Sequence, residues 1–155
     1  MHKKKTKNDH PTIDNRQARF KYSIDETFEA GLELRGSEVK SIRASQVSLK
    51  EGYVSIKKGE MFLLGVHIAP YEQAGTFNQH EPIRNIRLLM HKREILKLGI
   101  KIDQDRFALV PLKMYFKGGK VKIQLGLGKG KKLHDKREDI KQKDIERSLR
   151  QKYKL

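Results

Sequence analysis

The chain has 155 residues, 36% hydrophobic and 35% charged, which allows one domain of ordinary size with a modest core and excludes two large ones. Its 35 Lys and Arg against 19 Asp and Glu leave a charge of +16 at pH 7, so polyanions are the expected partners, with nucleic acid and an anionic membrane surface as the rivals. Without cysteine there is no disulfide framework and no thiolate metal site, and a reducing cytoplasm is the expected setting.

Residues 1–14, with Lys3, Lys4, Lys5 and Lys7, read as a mobile basic arm, and the apolar stretch that a signal peptide needs does not follow them. The longest apolar run, Phe107 to Leu112, is six residues and contains Pro111, too short for a membrane span. Phe20, Tyr22, Ile24, Phe28, Leu32 and Leu34, mostly two apart, predict a half-buried strand bent near Asp25-Glu26 or at Gly31. Ser37 then caps a helix with Glu38 in its first turn and Val39 and Ile42 on one face. Tyr53 to Lys57 and Met61 to Ile68 form a hairpin turned at Lys58-Gly59.

After a loop over residues 75–82, Asn85 is the expected cap of a second helix reaching about Leu98, with Leu88, Leu89, Ile95 and Leu96 as its stripe and Gly99 as its end. Ala108, Val110, Leu112, Met114 and Phe116 alternate in one strand, and Val121, Ile123, Leu125 and Leu127 in the next. Gly118-Gly119 joins the two, and Pro111 demands an edge position or a bulge. Beyond Leu127 the pattern stops; Ile145, Leu149 and Tyr153 are four apart, a stripe too narrow to hold a helix alone. The expected class is α+β: an antiparallel oligonucleotide-binding-type barrel with flanking helices over residues 15–128, and a basic tail over 129–155.

Charge is concentrated near the C-terminus. From Lys113 to Arg137 nine basic residues face one acid, a surplus of eight in 25 residues and half that of the whole chain. Lys120 and Lys122 project from one face of their strand, opposite Val121 and Ile123, which suits a sheet lying along a phosphate backbone; a merely solubilising face is the alternative. Gly126, Gly128 and Gly130 are expected to let the backbone approach a surface closely, with Lys129, Lys131, Lys132 and Arg137 supplying phosphate contacts. His134 and Asp135 are adjacent, so they point apart and make a poor acid–base pair; stacking of His134 on a base fits better. Glu29 is either an acceptor for base amino groups or a solvated strand residue. The remaining histidines lack metal-ligand spacing, and no catalytic constellation can be placed.

Several blocks then recur in order: Asn15-Arg-Gln-Ala-Arg19, Phe28-Glu-Ala-Gly31, Gly36-Ser-Glu-Val-Lys-Ser-Ile-Arg43, His67-Ile-Ala-Pro-Tyr71, His91-Lys-Arg-Glu-Ile95, Val110-Pro-Leu-Lys-Met-Tyr-Phe-Lys117 and Gly128-Lys-Gly-Lys-Lys132 with Asp135-Lys-Arg137. From Asn15 to Arg137 the chain closely resembles the small protein B family, the SsrA (transfer-messenger RNA)-binding proteins. The resemblance implies the barrel fold and binding to the transfer-RNA-like domain of transfer-messenger RNA. It further implies delivery of that RNA to stalled ribosomes in trans-translation.

By the same resemblance Glu29, Leu89 and Lys120 match positions that contact the RNA, and Asn15 and Arg19 sit near that face. Arg16, Arg87, Lys113, Lys122, Lys129, Lys131 and Lys132 complete the expected RNA-binding set. His134, Asp135, Lys136 and Arg137 match the segment that engages the ribosomal decoding centre, with its small-subunit RNA. Ile145, Leu149 and Tyr153 lie in the part that becomes helical in the empty message channel. A monomer without cofactor, small-molecule substrate, membrane contact or catalysis is expected. A general single-strand-binding barrel and a basic hydrolase remain the alternatives from composition and pattern.

Overall fold

A computed structural model describes residues 10–71, 80–131 and 133–153. In chain order the elements are β1 (Ile13–Asp14), α1 (Arg16–Lys21), β2 (Tyr22–Leu32), α2 (Gly36–Arg43), β3 (Val47–Ser48), β4 (Tyr53–Lys57) and β5 (Glu60–Leu64). They continue with β6 (His67–Ile68), β7 (Ile86–Leu89), α3 (Lys92–Asp105), β8 (Ala108–Lys117), β9 (Lys120–Gly130) and α4 (Leu133–Tyr153). Seven strands make one antiparallel sheet in the order β1-β8-β9-β2-β7-β5-β4, and β3 pairs with β6 in a small second ladder. The chain is thus β-rich with flanking helices, as the alternation predicts.

The sheet curls until β4 packs against β8, yet no ladder joins those two strands among the described residues. The expected barrel is therefore not closed by backbone pairing. A side chain spans the gap instead: the Asn15 amide donates to the carbonyls of Pro111 on β8 (2.9 Å) and Leu49 before β4 (3.2 Å). Inside the curl lie Met61, Leu63, Ile86, Leu88, Met114, Ile123, Leu125 and Leu127, each at most 2% exposed. Burying such side chains contributes about 1.5–3 kcal/mol apiece before ordering costs are counted.

The β8–β9 hairpin forms as expected, turning through Gly118 and Gly119 at φ +58° and +76°. Pro111 brings its bulge: the register with β9 shifts between Pro111 and Lys113. The strand changes facing there. Val110 and Leu112 pack with Ala18, Tyr22 and Ile24 around α1, whereas Leu109 and Met114 belong to the main core. Pure alternation placed Val110, Leu112 and Met114 on one side and missed this. The expected bend near Asp25 is a second bulge, between Ile24 and Glu26 of β2.

Three readings need correction. Asn85 starts no helix: Ile86–Leu89 is a strand paired with both β2 and β5, with Ile86 and Leu88 buried and Arg87 and Leu89 exposed. Gly99 does not end α3 either. The helix starts after His91 and runs to Asp105, where Arg106 takes the left-handed conformation (φ 56°). Gly126 and Gly128 are also not free to approach an outside surface. A Cβ on Gly128 would stand 2.2 Å from the Ser23 carbonyl oxygen, and one on Gly126 3.0 Å from Ile24 and Leu112 side-chain carbons. Both glycines admit the chain's own β2, and Gly126 admits Leu112 of β8 as well. Gly130 alone of the three meets nothing within 4 Å.

Candidate nucleic-acid interface

Strand pairing builds one outer face from side chains far apart in sequence. Tyr115 on β8 lies opposite Lys122 on β9, Lys122 opposite Gly31 on β2, and Gly31 opposite Leu89 on β7. The next row contains Lys113, Gln124 and Glu29, and beyond Tyr115 the turn brings Lys117 opposite Lys120. Lys120 is exposed and Lys122 partly so, while Val121 and Ile123 between them are buried at 6% and 0%. The face inferred from lysine spacing is therefore present.

Gly31 is the low point of the row: a Cβ there would sit 3.3 Å from Leu89 Cβ and 3.6 Å from Lys122 Nζ. Leu89, 49% exposed, stands over it and separates two shallow clefts. One, about 290 Å³, is lined by Leu34, Val39, Lys120 and Lys122; the other, about 420 Å³, by Arg87, Met90, Lys92 and Leu96. Apolar floors bordered by cations suit unstacked bases whose phosphates lie at the rim. Arg87 is shared between Glu33 (3.8 Å) and Glu60 (3.6 Å), both exposed, so a phosphate could displace them at little cost.

Glu29 is the one acid set among these cations. Its carboxylate accepts from the Tyr115 hydroxyl and from Lys117 Nζ (3.3 Å). The Tyr115 hydrogen bond, aided by Lys117 and Lys122, holds the Glu29 carboxyl below its ordinary range. Burial and Glu29 together push the Tyr115 phenol up to about 12. Glu29 is consequently an ionised acceptor that repels phosphate and attracts donors such as base amino groups or ribose hydroxyls.

Of the other residues marked by the sequence, Lys113 belongs to that face and the rest lie apart from it. Asn15 is buried, and its amide is used on Pro111 and Leu49; what it contributes is the seat of α1, from which Arg16 and Arg19 project exposed. Lys113 Nζ lies 5.5 Å from the Tyr115 ring and Lys129 Nζ 4.8 Å from the Phe107 ring. Lys131 forms an ion pair with Asp139 on α4, and its backbone N–H donates to the Lys21 carbonyl (2.8 Å). Lys132 lies outside the described residues. His134, Asp135 and Lys136 fall in the first turns of α4, with side chains outside the described set, while Arg137 is exposed. Ile145 and Leu149 are 60% and 47% exposed on the same helix, which ends at Tyr153.

Comparison with known proteins adds what geometry alone leaves open. Residues 12–155 match the family described as SmpB protein. The chain belongs to the SmpB family. An SsrA-binding protein of Microcystis aeruginosa is 57% identical over 136 residues, 88% of each chain. That of Staphylococcus haemolyticus is 46% identical over 157 residues, covering 99% of this chain and 100% of the relative. A solved structure described as "tmRNA-SmpB: a journey to the center of the bacterial ribosome" matches 79% of this chain and 86% of its own at 44% identity, with a TM-score of 0.66.

Two features of this SmpB-family chain escaped sequence reasoning. Tyr115 carries the Glu29 contact; its spacing of two from both Lys113 and Lys117 is a usable signal, masked by the apolar alternation of its neighbours. The second is buried. Glu38, 0% exposed, is gripped by Arg84 (Nη2–Oε1 2.6 Å, Nε–Oε2 2.9 Å) and by the Arg35 backbone N–H (2.8 Å). Beside it His80 bonds Ser37 (2.8 Å) and the Ile68 carbonyl (3.0 Å). Arg84 also donates to the Glu33 carbonyl, so this cluster fixes α2 and β2 to the start of β7 and thereby places Leu89. Among the described residues no three His, Asp or Glu side chains group to hold a metal ion, and no helix is long and apolar enough to cross a membrane.

Proposed function

We infer that this chain binds transfer-messenger RNA and serves trans-translation at the ribosome. Membership of the SmpB family across residues 12–155, together with a lysine-rimmed face holding one ionised acceptor, carries the reading. On that face Lys113, Lys117, Lys120 and Lys122 neutralise phosphates, Leu89 and the clefts beside it seat unstacked bases, and Glu29 selects donors. Arg16, Arg19, Lys129 and Lys131 extend the positive surface along α1 and the end of β9. The curled sheet works as an oligonucleotide-binding-type barrel, with the Asn15 bridge standing in for ladder closure between β4 and β8.

The tail acts separately. His134, Asp135, Lys136 and Arg137 engage the decoding centre, and α4, which ends at Tyr153, presents Ile145 and Leu149 to the message channel. Support comes from the exposure of Ile145 and Leu149, which the domain leaves uncovered. The protein works by binding, without chemistry of its own, in the cytoplasm.

The direct test is affinity for transfer-messenger RNA against an unrelated hairpin RNA over a salt series. The expected result is a preference for transfer-messenger RNA that persists at moderate salt, on a steep salt dependence shared by both RNAs. Equal affinities at moderate salt would overturn the specific reading and leave only a general polyanion binder.

A further inference from the structure

We propose that Tyr115 is a positioning residue for RNA recognition, its hydroxyl fixing which way the Glu29 carboxylate points on the RNA-binding face. The inference rests on the reading of that face given above. Glu29 lies among mobile cations: Lys117 Nζ is 3.3 Å from Oε1 and 3.5 Å from Oε2, and Lys122 is near enough to act on its charge. An ammonium is a rotatable point charge on a flexible stem, so lysines alone would hold the carboxylate nearby without fixing its direction.

Tyr115 supplies what they lack. Its ring has two side-chain torsions, sits on a strand paired at Lys122, and is flanked by the Lys113 ammonium at 5.5 Å. Its hydroxyl donates to Oε2 of Glu29. With Oε2 held, Oε1 remains open to a donor from the ligand, and Lys117 is the only described side chain hydrogen-bonded to it. The phenol, pushed up to about 12, stays a donor across the physiological range. The ligand group this geometry accepts is a nucleotide N–H or O–H, an exocyclic amine or a ribose 2′-hydroxyl, and not a phosphate.

Binding of transfer-messenger RNA to the full chain, to Tyr115→Phe, to Glu29→Gln and to the double variant between about pH 3.5 and 8 tests this. Tyr115→Phe should weaken binding about tenfold at pH 7.5, the scale of one hydrogen bond to a charged group. The double variant should bind no worse than Glu29→Gln alone, because Tyr115 acts through Glu29. The pH at which binding fails on the acid side should rise in Tyr115→Phe, and the Glu29 carboxyl titration of the RNA-free protein, followed by ¹³C resonance, should rise with it. A structural role alone would lower the thermal midpoint and leave that titration in place. Tyr115→Phe binding like the unaltered chain at every pH, or losses that multiply in the double variant, would overturn the proposal. An unaltered chain that fails to prefer transfer-messenger RNA overturns the functional reading, and an unchanged Glu29 titration overturns the Tyr115 contact independently of it.

Discussion

Replacing Arg84 by Met should destabilise the domain heavily and reverse the sign of its pH dependence. Burial pushes the Glu38 carboxyl up, but the Arg84 hydrogen bonds, the Arg35 N–H and the Arg84 charge outweigh it and hold the group below the ordinary carboxylate range. In the unaltered chain this pair therefore contributes stability that is present above the unfolded carboxyl value and lost as pH falls through the lower folded one. Arg84→Met leaves a carboxylate, 0% exposed, with the Arg35 N–H at 2.8 Å as the hydrogen-bond donor that remains among the described residues. Breaking a buried pair from one side costs about 3–5 kcal/mol, out of a total of roughly 5–15 kcal/mol. With a urea m-value of about 2 kcal/mol/M the midpoint should fall by roughly 2 M at pH 7.5. In the variant burial, the largest influence on Glu38, is opposed mainly by the Arg35 N–H, so the folded carboxyl value should rise above the unfolded one and the deficit should shrink as pH is lowered from 7.5 to 5. Urea unfolding at the two pH values decides it. A loss under about 0.5 kcal/mol, as for a surface pair, or the same loss at both pH values, would refute the buried-pair reasoning.

Other substitutions probe other parts. Gly128→Ala drives a methyl into the Ser23 carbonyl and should cost about 2 kcal/mol or more in urea unfolding, whereas Gly130→Ala, facing open space, should cost under about 1 kcal/mol. Lys120→Ala with Lys122→Ala should leave the unfolding midpoint within about 0.5 kcal/mol and lower the slope of log affinity against log salt by about two for RNA binding. Leu89→Asp, at a half-exposed site, should likewise spare stability while weakening RNA binding at least about tenfold, read by filter binding. Deletion of residues 138–155 should preserve RNA affinity and abolish peptide tagging on stalled ribosomes; lost RNA affinity would refute the division between face and tail.

The hairpin and its lysine face were legible because a two-residue period sorts Lys120 and Lys122 from Val121 and Ile123 without knowledge of any partner strand. The segment Arg87-Leu-Leu-Met90 was misread because two adjacent leucines satisfy a helical stripe as readily as a strand. Its pairing with β2 and β5, residues distant in sequence, decided the matter. Glu38 and Arg84, 46 positions apart, gave no local signal, because charged residues are mostly exposed and nothing near either one marks a buried partner. The facing change at Pro111 followed from a bulge the proline announced, but which side each neighbour would take depended on α1 covering Val110 and Leu112. Leu89 was reached through family resemblance, and for Glu29 the resemblance favoured one of the two roles that spacing left open. Strand register alone joined them to Tyr115.

On the proposed function one sheet face, β8-β9-β2-β7, recognises transfer-messenger RNA. Amide hydrogen exchange with and without the transfer-RNA-like domain of that RNA measures it across the whole chain. Protection should gather on β9 around Lys120 and Lys122, on β2 at Glu29 and Gly31, and on β7 at Leu89, leaving the exposed side of α3 at Ile100 and Asp103 unchanged. Protection confined to α3, or absent from β2 and β7, would contradict the account.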